Sequence, residues 1–484
     1  MRTGKKKAET PAEVKYTLVR GTRREKYAKL AAVKSLADLN WATCPTGSLD
    51  PFRPVGKGVY FDWPLLTDLM PWQHTGMEIK RSWPIAPDVE TLRRRWKSLL
   101  TDWIGGERAA PFKETRDRVI AGQYSRLFRD GDPEPAIAKL TPKTPLPQTR
   151  PVAFRSFDRQ YIIADNRVAD YLKPALWSVV DSPSQLYLTT LTTDPFSCGQ
   201  AVVIGNLIPD RHAFNGRGGK DVFPLYRDAA GSEPNILPEF LTLWGKKLKR
   251  TIDPESFAAY LYAIVGHGAF VEKFWVELED RELRIPLTLK PKLFDRAVNA
   301  GRRLLFLHTY GERCVPEDRS SGEVPTGTAK VRKAIGEKPA DYPDAFRYDP
   351  ATRSIRIADG EVGPVAPEVW AFEVSGFQVV QSWLGYRMKN RKGKKSSPLD
   401  RIHPERWTSE FTDEFLRLLA ILEQTLAMQS ELAELLNEVV AGDLLLANEL
   451  PAVPGSMRVP PRYDGQLELT ALEEYAGQDS EPGE

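Results

Sequence analysis

A dense cluster of basic residues in the C-terminal third of the chain has the clearest chemical meaning. Six positive charges fall within nine consecutive residues, and no acidic residue lies among them. Such a cluster attracts polyanions, because each phosphate that it contacts releases a condensed counterion. A solvated surface loop is the alternative interpretation of a charge run taken alone. The basic loop (residues 387–397) contains Arg387, Lys389, Arg391, Lys392, Lys394, Lys395, Ser396 and Ser397.

A second candidate nucleic-acid contact precedes a short glycine-rich segment. The sequence Asp-Arg-His at 210–212 leads into residues 216–220, which add two positive charges among three glycines. A loop of this composition can follow a DNA backbone, but a polar β-turn explains the same residues equally well. Both interpretations stay open from the sequence. The candidate contacts in this segment are Arg211, His212, Arg217 and Lys220.

Two further arginines, Arg155 and Arg159, lie in a run whose composition predicts a β-strand. Successive side chains of a strand point to opposite faces of the sheet. Some charged residues of this run should therefore pair structurally, while those that reach solvent are candidate DNA contacts.

The motifs that catalytic or cofactor sites require are not found in the sequence. The loop with which amino methyltransferases hold a base needs Pro-Pro between Asp or Asn and an aromatic residue. The only Pro-Pro, at 460–461, stands between Val459 and Arg462. No phosphate-binding P-loop occurs, and the five histidines form no closely spaced zinc-ligand pair. We therefore predict no catalytic, cofactor-binding or metal-binding residue in this chain.

Composition favours a protein of the cytoplasm. Only three cysteines occur in 484 residues, which argues against a disulfide framework and suits a reducing compartment. The net charge of +3 is small, so DNA affinity must arise from local clustering of charge. No stretch approaches the roughly 18 apolar residues of a transmembrane helix, and no apolar run follows the basic N-terminus. We expect no membrane association.

The order of patterns along the chain predicts an α+β protein. Six prolines between Asp130 and Pro151 mark the clearest expected domain boundary. Short strand-like runs and amphipathic helices follow it and predict a mixed sheet-and-helix domain with a C-terminal helical pair. The expected divisions are a disordered basic tail (1–20), an N-terminal connecting region (21–132), the mixed domain (151–407), C-terminal helices (408–455) and an acidic tail (456–484).

Local signals place several elements within these divisions. Asp88 and Asp253 are expected to cap the starts of helices, because their side chains can accept the first free backbone N–H groups. The apolar residues from Phe411 to Leu426 recur at helical spacing. Residues 312–345 are expected to form a long loop, and residues 369–377 a strand.

Several segments, taken in order, resemble the C-terminal target-recognition region of type ISP restriction–modification enzymes. Those enzymes are large single polypeptides with nuclease, helicase-like, coupler, adenine methyltransferase and specificity parts. The resemblance covers roughly residues 60–455, and its most specific block is Lys395–Asp400. The resembling segments are 75–81 (TGMEIKR), 154–161 (FRSFDRQY), 165–167 (DNR), 210–214 (DRHAF), 216–219 (GRGG), 224–225 (PL), 300–308 and 383–407.

The resemblance implies a target-recognition domain that reads a specific double-stranded DNA sequence for a restriction–modification system in phage defence. It also implies a methyltransferase/restriction subunit as partner, with S-adenosylmethionine bound by the methyltransferase, because this chain starts near where the methyltransferase part of the family ends. The chain would then be a separate subunit, a split-gene product or a remnant. The region before Pro133 is the expected docking surface for that partner, because it adjoins the methyltransferase part in the resembling enzymes. Its tryptophans would contribute to that surface unless they fill a core of their own. They are Trp63, Trp72, Trp83, Trp96 and Trp103.

Two other classes of protein remain open from the sequence. One is a self-sufficient DNA-modifying enzyme with an unrecognised active site, which predicts a cofactor pocket and a cluster of acidic or histidine side chains. The other is a nonspecific nucleic-acid-binding scaffold, which predicts equal binding to every duplex.

Overall fold

The structure is a computed structural model, and it describes residues 13–19, 23–47, 52–54, 58–102, 108–127, 132–180, 182–190, 199–213, 221–391, 393 and 397–461. Helices and small antiparallel sheets alternate along these residues, which confirms the expected α+β class. The helices are α1 (Arg23–Ala32), α2 (Leu66–Leu69), α3 (Val89–Thr101), α4 (Ala109–Phe112), α5 (Pro174–Trp177), α6 (Pro238–Leu248), α7 (Pro254–Val265), α8 (Gly268–Lys273), α9 (Pro291–His308), α10 (Pro367–Trp370), α11 (Val379–Arg387), α12 (Ser409–Ala427), α13 (Gln429–Val440) and α14 (Gly455–Arg458).

The strands are short and pair antiparallel within six small sheets of the described residues. The larger sheets have the strand orders β3-β5-β4, β7-β6-β8 and β10-β13-β12-β11. The strands are β1 (Lys15–Tyr16), β2 (Ala42–Thr43), β3 (Ile85–Ala86), β4 (Thr149–Arg155), β5 (Asp158–Ile163), β6 (Tyr187–Thr190), β7 (Val202–Gly205), β8 (Asp221–Pro224), β9 (Leu287–Thr288), β10 (Lys330–Lys333), β11 (Phe346–Asp349), β12 (Ser354–Ile357), β13 (Gly360–Gly363), β14 (Glu373–Val374), β15 (Phe377–Gln378) and β16 (Leu444–Leu445).

The β3-β5-β4 sheet joins parts of the chain on both sides of the proline-rich segment. In the β3–β5 pair, Ile85 lies opposite Ile162. Both side chains belong to one buried apolar cluster with Trp72 and Met77. The two sides of residues 133–151 therefore share a sheet and a core, although the prolines predicted a boundary there.

Two helix starts follow the sequence signals. Asp88 accepts a hydrogen bond from the Thr91 backbone N–H at 2.7 Å, and α3 begins at the next residue. Asp253 accepts from the Ser256 N–H at 2.7 Å, and α7 begins at Pro254. In both cases a carboxylate satisfies a backbone donor that the first helical turn leaves free.

The largest apolar core is formed around helices α7, α9, α12 and α13. Helices α7 and α9 approach closely at Gly301, where an added Cβ would lie 1.8 Å from the Ala259 carbonyl oxygen. His308, at the end of α9, lies between the hydroxyls of Tyr262 on α7 and Thr425 on α12, at 2.5 Å and 2.8 Å. The C-terminal helical pair, α12 and α13, is thus packed on the central helices as the sequence predicted.

The tryptophans expected to form an exposed docking surface are core residues where the structure describes them. Trp63, Trp72 and Trp83 have no exposed surface, and Trp96 is 2% exposed. Trp63 packs edge-on against Phe274, far along the chain. The docking interpretation is therefore wrong for these four side chains, because each one fills a core that earlier and later segments share. Trp103 lies outside the described residues.

Two expected elements differ from the structure. Residues 312–345, expected as a loop, include β10, whose four side chains are all exposed and so gave no alternating apolar signal. Residues 369–377, expected as one strand, include the end of α10 and two short strands, β14 and β15. A tight turn separates these strands, with φ of +47° at Ser375 and +78° at Gly376. This left-handed backbone ends one strand and reverses the chain into the next.

None of the helices in the described residues has both the length and the apolar character needed to cross a bilayer.

Candidate nucleic-acid interface

Arg155, at the end of β4, is the centre of the candidate site. Its Nη1 donates to Asp210 Oδ1 at 2.7 Å, and its Nη2 lies 3.4 Å from the hydroxyl of Tyr386. The guanidinium also stacks 4.0 Å above the ring of Phe154. Only 15% of the Arg155 side chain is exposed, so the sheet and Tyr386 fix its position.

Asp210 is buried and organises the turn that contains the sequence Asp-Arg-His. Its Oδ1 accepts from the His212 backbone N–H at 2.8 Å and lies 3.2 Å from His212 Nδ1. Burial acts to raise the pKa of Asp210, but Arg155 and His212 outweigh it and hold the pKa below its usual value. A negative Asp210 orients the His212 ring, while 46% of that side chain stays exposed.

The segment 75–81 lies along the same turn. The Arg211 N–H donates to the Met77 carbonyl at 2.7 Å, and the Met77 N–H donates to the Pro209 carbonyl at 3.0 Å. The Arg211 guanidinium pairs with Glu78. Gly76 permits this approach, since an added Cβ would lie 2.9 Å from the Pro209 carbonyl oxygen.

The local sequence suggested that Arg387, the first arginine of the basic loop, is a free positive charge, but the structure pairs it with carboxylates. Arg387 is fully buried, and its guanidinium lies 2.8 Å from Asp158 and 3.2 Å from Glu414. It also stacks 3.6 Å above the Trp383 ring. Burial acts to lower the pKa of Arg387, but the two carboxylates outweigh it and raise the pKa. Arg387 therefore anchors the loop and offers no surface to a phosphate in this conformation.

The two ends of the loop meet at one buried carboxylate. Arg391 donates to Asp400 Oδ1 at 2.6 Å, while the Ser397 N–H donates to Asp400 Oδ2 at 3.0 Å. Ser82 also donates to Oδ2, at 2.9 Å, and the Ser397 hydroxyl donates to the Pro111 carbonyl. Asp400 thus ties residues 391 and 397 to the region around α3 and α4. The expectation of six charges without an acidic partner is wrong for Arg387 and Arg391.

The other predicted contacts differ in position. Lys389 is exposed, and its backbone N–H donates to the Pro343 carbonyl at 2.8 Å. Arg159 pairs with Glu312 at 2.6 Å, and its guanidinium lies 5.1 Å from the Tyr310 ring centroid. Six predicted contacts lie outside the described residues, namely Lys392, Lys394, Lys395, Ser396, Arg217 and Lys220.

The structure therefore brings Arg155, Arg211, His212 and the anchored ends of the basic loop onto neighbouring elements. Sequence reasoning missed the acidic partners of Arg211, Arg159 and Arg387, which are Glu78, Glu312 and Glu414 respectively. Glu78 stands 133 residues from Arg211, and Glu312 and Glu414 are also distant along the chain, so no local pattern marks these pairs. Only the fold could identify them.

A small pocket lies beneath the β4–β5 hairpin. It encloses about 50 Å³ and is lined by residues that include Arg155, Arg159, Asn206, His308 and Tyr310. Typical cofactor pockets have volumes of about 300–1,000 Å³, so this pocket is small for such a ligand. Among the described residues, no group of three or more His, Cys, Asp or Glu side chains is placed to hold a metal ion.

A family model described as the Type ISP C-terminal specificity domain matches residues 68–418 of this chain. The match covers more than half of the 484 residues and spans Arg155, Asp210 and the whole basic loop. The chain belongs to the Type ISP C-terminal specificity domain family, which confirms the resemblance seen in the sequence. A comparison with curated proteins finds no match.

Three solved structures share the fold at low sequence identity. The cryoEM structure of the DrdV–DNA complex has a TM-score of 0.56 at 16% identity, over 84% of this chain and 42% of the other. A nuclease-deletion mutant of the Type ISP restriction-modification enzyme LlaGI, in complex with a DNA substrate mimic, has a TM-score of 0.52 at 14% identity. The match covers 86% of this chain and 32% of the other. The ATP-dependent Type ISP restriction-modification enzyme LlaBIII, bound to DNA, has a TM-score of 0.54 at 14% identity. The match covers 87% of this chain and 27% of the other. This chain thus spans less than half the length of each.

Proposed function

We propose that the chain recognises a specific double-stranded DNA sequence as the specificity part of a type ISP-like restriction–modification system. Membership of the Type ISP C-terminal specificity domain family supports this function. The three similar structures support it too, since each is described as a complex with DNA or with a DNA substrate mimic.

One observation carries the proposal, namely the convergence at Asp210 of segments that lie far apart in sequence. Arg155 links this carboxylate to Tyr386, beside the basic loop, and Arg211 links the same turn to Glu78. These contacts hold the turn at Asp210 in place while the His212 imidazole stays partly exposed, and the basic loop begins beside Tyr386. The arrangement offers one side chain for contact with a base and several cations for contact with phosphates. His212 would contact a base edge, while the lysines of the loop would contact phosphates and set the register.

Replacing Lys392, Lys394 and Lys395 together by alanine should weaken binding to every duplex by the same factor. Phosphate contacts carry no sequence information, and each one lost should make the slope of log affinity against log salt shallower by about 0.9. Fluorescence anisotropy at several salt concentrations measures both effects. The probes are a random duplex and a preferred duplex enriched from a library by the wild-type chain.

His212→Ala is the matched control for the lysine variant. It should reduce affinity roughly tenfold for the preferred duplex and little for the random one, because a lost base contact costs about 1–3 kcal/mol. Wild-type affinity and slope in the lysine variant would assign the basic loop to the solvated surface. Equal weakening of both duplexes by His212→Ala would exclude a base contact.

We further propose that the chain acts with a methyltransferase/restriction subunit, in which the methyltransferase binds S-adenosylmethionine. The matched region is less than half of each similar structure, and two of them are described as restriction-modification enzymes. The chain itself would need no cofactor, and the specificity-domain family supports this division of roles. A cytoplasmic location, predicted from the three dispersed cysteines, belongs to the same proposal.

The chain alone should incorporate no label when it is incubated with DNA and radiolabelled S-adenosylmethionine. After co-expression with a methyltransferase polypeptide encoded beside it, the complex should survive gel filtration and methylate the preferred duplex. The His212→Ala complex is the control, and should methylate that duplex more slowly at limiting DNA. Incorporation by the isolated chain would instead support the self-sufficient enzyme.

A further inference from the structure

The four-stranded sheet β10-β13-β12-β11 has one packed face and one open face. Tyr348 on β11 stacks against Trp370 of α10, with ring centroids 5.0 Å apart. Ile355, Ile357 and Val362 point to the same side and are fully buried. Because side chains alternate along a strand, the residues between them face the opposite side of the sheet.

A row of mainly positive side chains crosses this open face. In the register of the sheet, Arg347 of β11 lies directly opposite Arg356 of β12, and Arg356 lies opposite Glu361 of β13. Lys333 of β10 lies opposite Glu361 in turn. Arg347 and Arg356 are both exposed. Directly opposed residues have Cβ atoms about 4.5–5.5 Å apart, and like charges at such positions destabilise the sheet.

The carboxylates near this row have other partners. Glu361 accepts from Arg332 at 3.3 Å. Asp349, on the same face of β11, accepts from the Ala351 N–H at 3.0 Å, and this bond contributes most to holding the pKa of Asp349 below its usual value. Within the described ranges, no carboxylate lies at ion-pair distance from Arg347 or Arg356. Arg347 still attracts Asp349 and helps to lower its pKa, and Arg356 lies opposite Glu361, so these two carboxylates offset the repulsion between the arginines in part.

The sheet is attached directly to the start of the basic loop. The Lys389 N–H donates to the Pro343 carbonyl at 2.8 Å, four residues before Arg347. The hydroxyl of Tyr342 donates to the Arg387 carbonyl at 2.5 Å. These two hydrogen bonds tie the start of the basic loop to the segment that leads into β11. Such a link suits contacts of the loop and the arginine row to a single extended polyanion.

We propose that Arg347 and Arg356 form a clamp for the DNA phosphate backbone, beside the contacts of the basic loop. This inference rests on the proposed function and adds a second backbone-contacting surface to it. Two guanidinium groups at neighbouring positions can each donate in parallel to phosphate oxygens. A phosphate between them adds attraction to both guanidinium groups and offsets the repulsion that Asp349 and Glu361 leave.

The test compares Arg347→Gln/Arg356→Gln with the wild-type chain. The double variant should bind random and preferred duplexes more weakly by one common factor, and its salt slope should be shallower by about 1.8 if both contacts are lost. Its melting temperature should change little, because the substitutions remove the repulsion between opposed like charges together with the weak attraction of exposed arginines to Asp349 and Glu361. The matched control is Arg296→Gln/Arg303→Gln, which removes two exposed arginines that pair with Glu438 and Glu431. The control should keep the wild-type salt slope.

The outcomes separate the clamp from the proposed function. If the wild-type chain binds DNA and the double variant keeps its slope, the clamp is wrong while DNA recognition stands. A lower melting temperature with an unchanged slope would make the two arginines structural and overturn the clamp as well. If the wild-type chain binds no duplex at all, the proposed function fails and the clamp fails with it.

Discussion

Replacing Arg387 by methionine should destabilise the protein by about 3–5 kcal/mol, the usual cost of breaking a buried ion pair from one side. The variant leaves Asp158 and Glu414 buried without the guanidinium that lies 2.8 Å and 3.2 Å from them. Because Arg387 connects β5, α11 and α12, its loss should also release the start of the basic loop. Urea unfolding followed by tryptophan fluorescence measures the change in the free energy of unfolding.

Glu438→Ala provides the control for this experiment. Glu438 pairs with Arg296 at 2.7 Å, a distance similar to that in the buried pair, but both side chains are about half exposed. Water screens such a pair, so its removal should have little effect on stability. A loss in Arg387→Met no larger than the loss in Glu438→Ala would show that the buried pair contributes nothing to stability.

The protein should lose about 4 kcal/mol of stability between pH 7.5 and pH 5 through two buried histidines. Burial lowers the pKa of His308 to about 3 and that of His267 to about 4, from an unfolded value near 6.5. Both residues are neutral in the folded state, so the unfolded chain binds more protons and stability falls as pH drops below 6.5. At pH 5 each histidine contributes about 2 kcal/mol of this loss. Urea unfolding at a series of pH values measures it.

The substitution His308→Gln should remove about half of this acid sensitivity. A glutamine oxygen can accept from Tyr262 and its amide can donate to Thr425, which preserves the two contacts of the imidazole at neutral pH. His267→Leu addresses the other half of the acid sensitivity. Among the described residues, only the Ile264 backbone acts on the buried imidazole of His267 as a hydrogen-bond partner, so leucine gives up little polar contact. A double variant whose stability declines as steeply as wild type below pH 6.5 would contradict the assignment.

The parts of the fold that local chemistry determines were predictable from the sequence. The caps at Asp88 and Asp253 and the apolar stripe of α12 depend on residues within a few positions of one another. The prediction of one strand over residues 369–377 was wrong because Ser375 and Gly376 adopt a left-handed backbone that reverses the chain, although apolar residues lie on both sides of them. The tryptophans before Pro133 were expected to be exposed because the sequence does not show their packing partners. Trp63, for example, is buried against Phe274, which lies far away in sequence.

The candidate site was predictable in its residue types but not in its electrostatics. Clusters of arginine and lysine are visible in a sequence, whereas the carboxylates that neutralise some of them come from other elements. Glu414 reaches Arg387 from α12, and Glu312 reaches Arg159 after α9. The Arg347–Arg356 juxtaposition was equally hidden, because it depends on the register of two strands. A count of charges along the chain therefore overstates the free positive charge of the basic loop and overlooks the pair formed by Arg347 and Arg356.

The shared attachment of Arg391 and Ser397 to Asp400 makes the loop between them an exchangeable module. Its boundaries are set by a carboxylate that belongs to the supporting fold, together with contacts from Ser82 and the Pro111 carbonyl. The sequence between these anchors can therefore diversify, or be replaced by a designed peptide, provided that position 393 keeps the glycine that its φ of +98° favours. Both evolution and protein engineering could therefore change the affinity of this loop for a polyanion while the supporting fold stays the same.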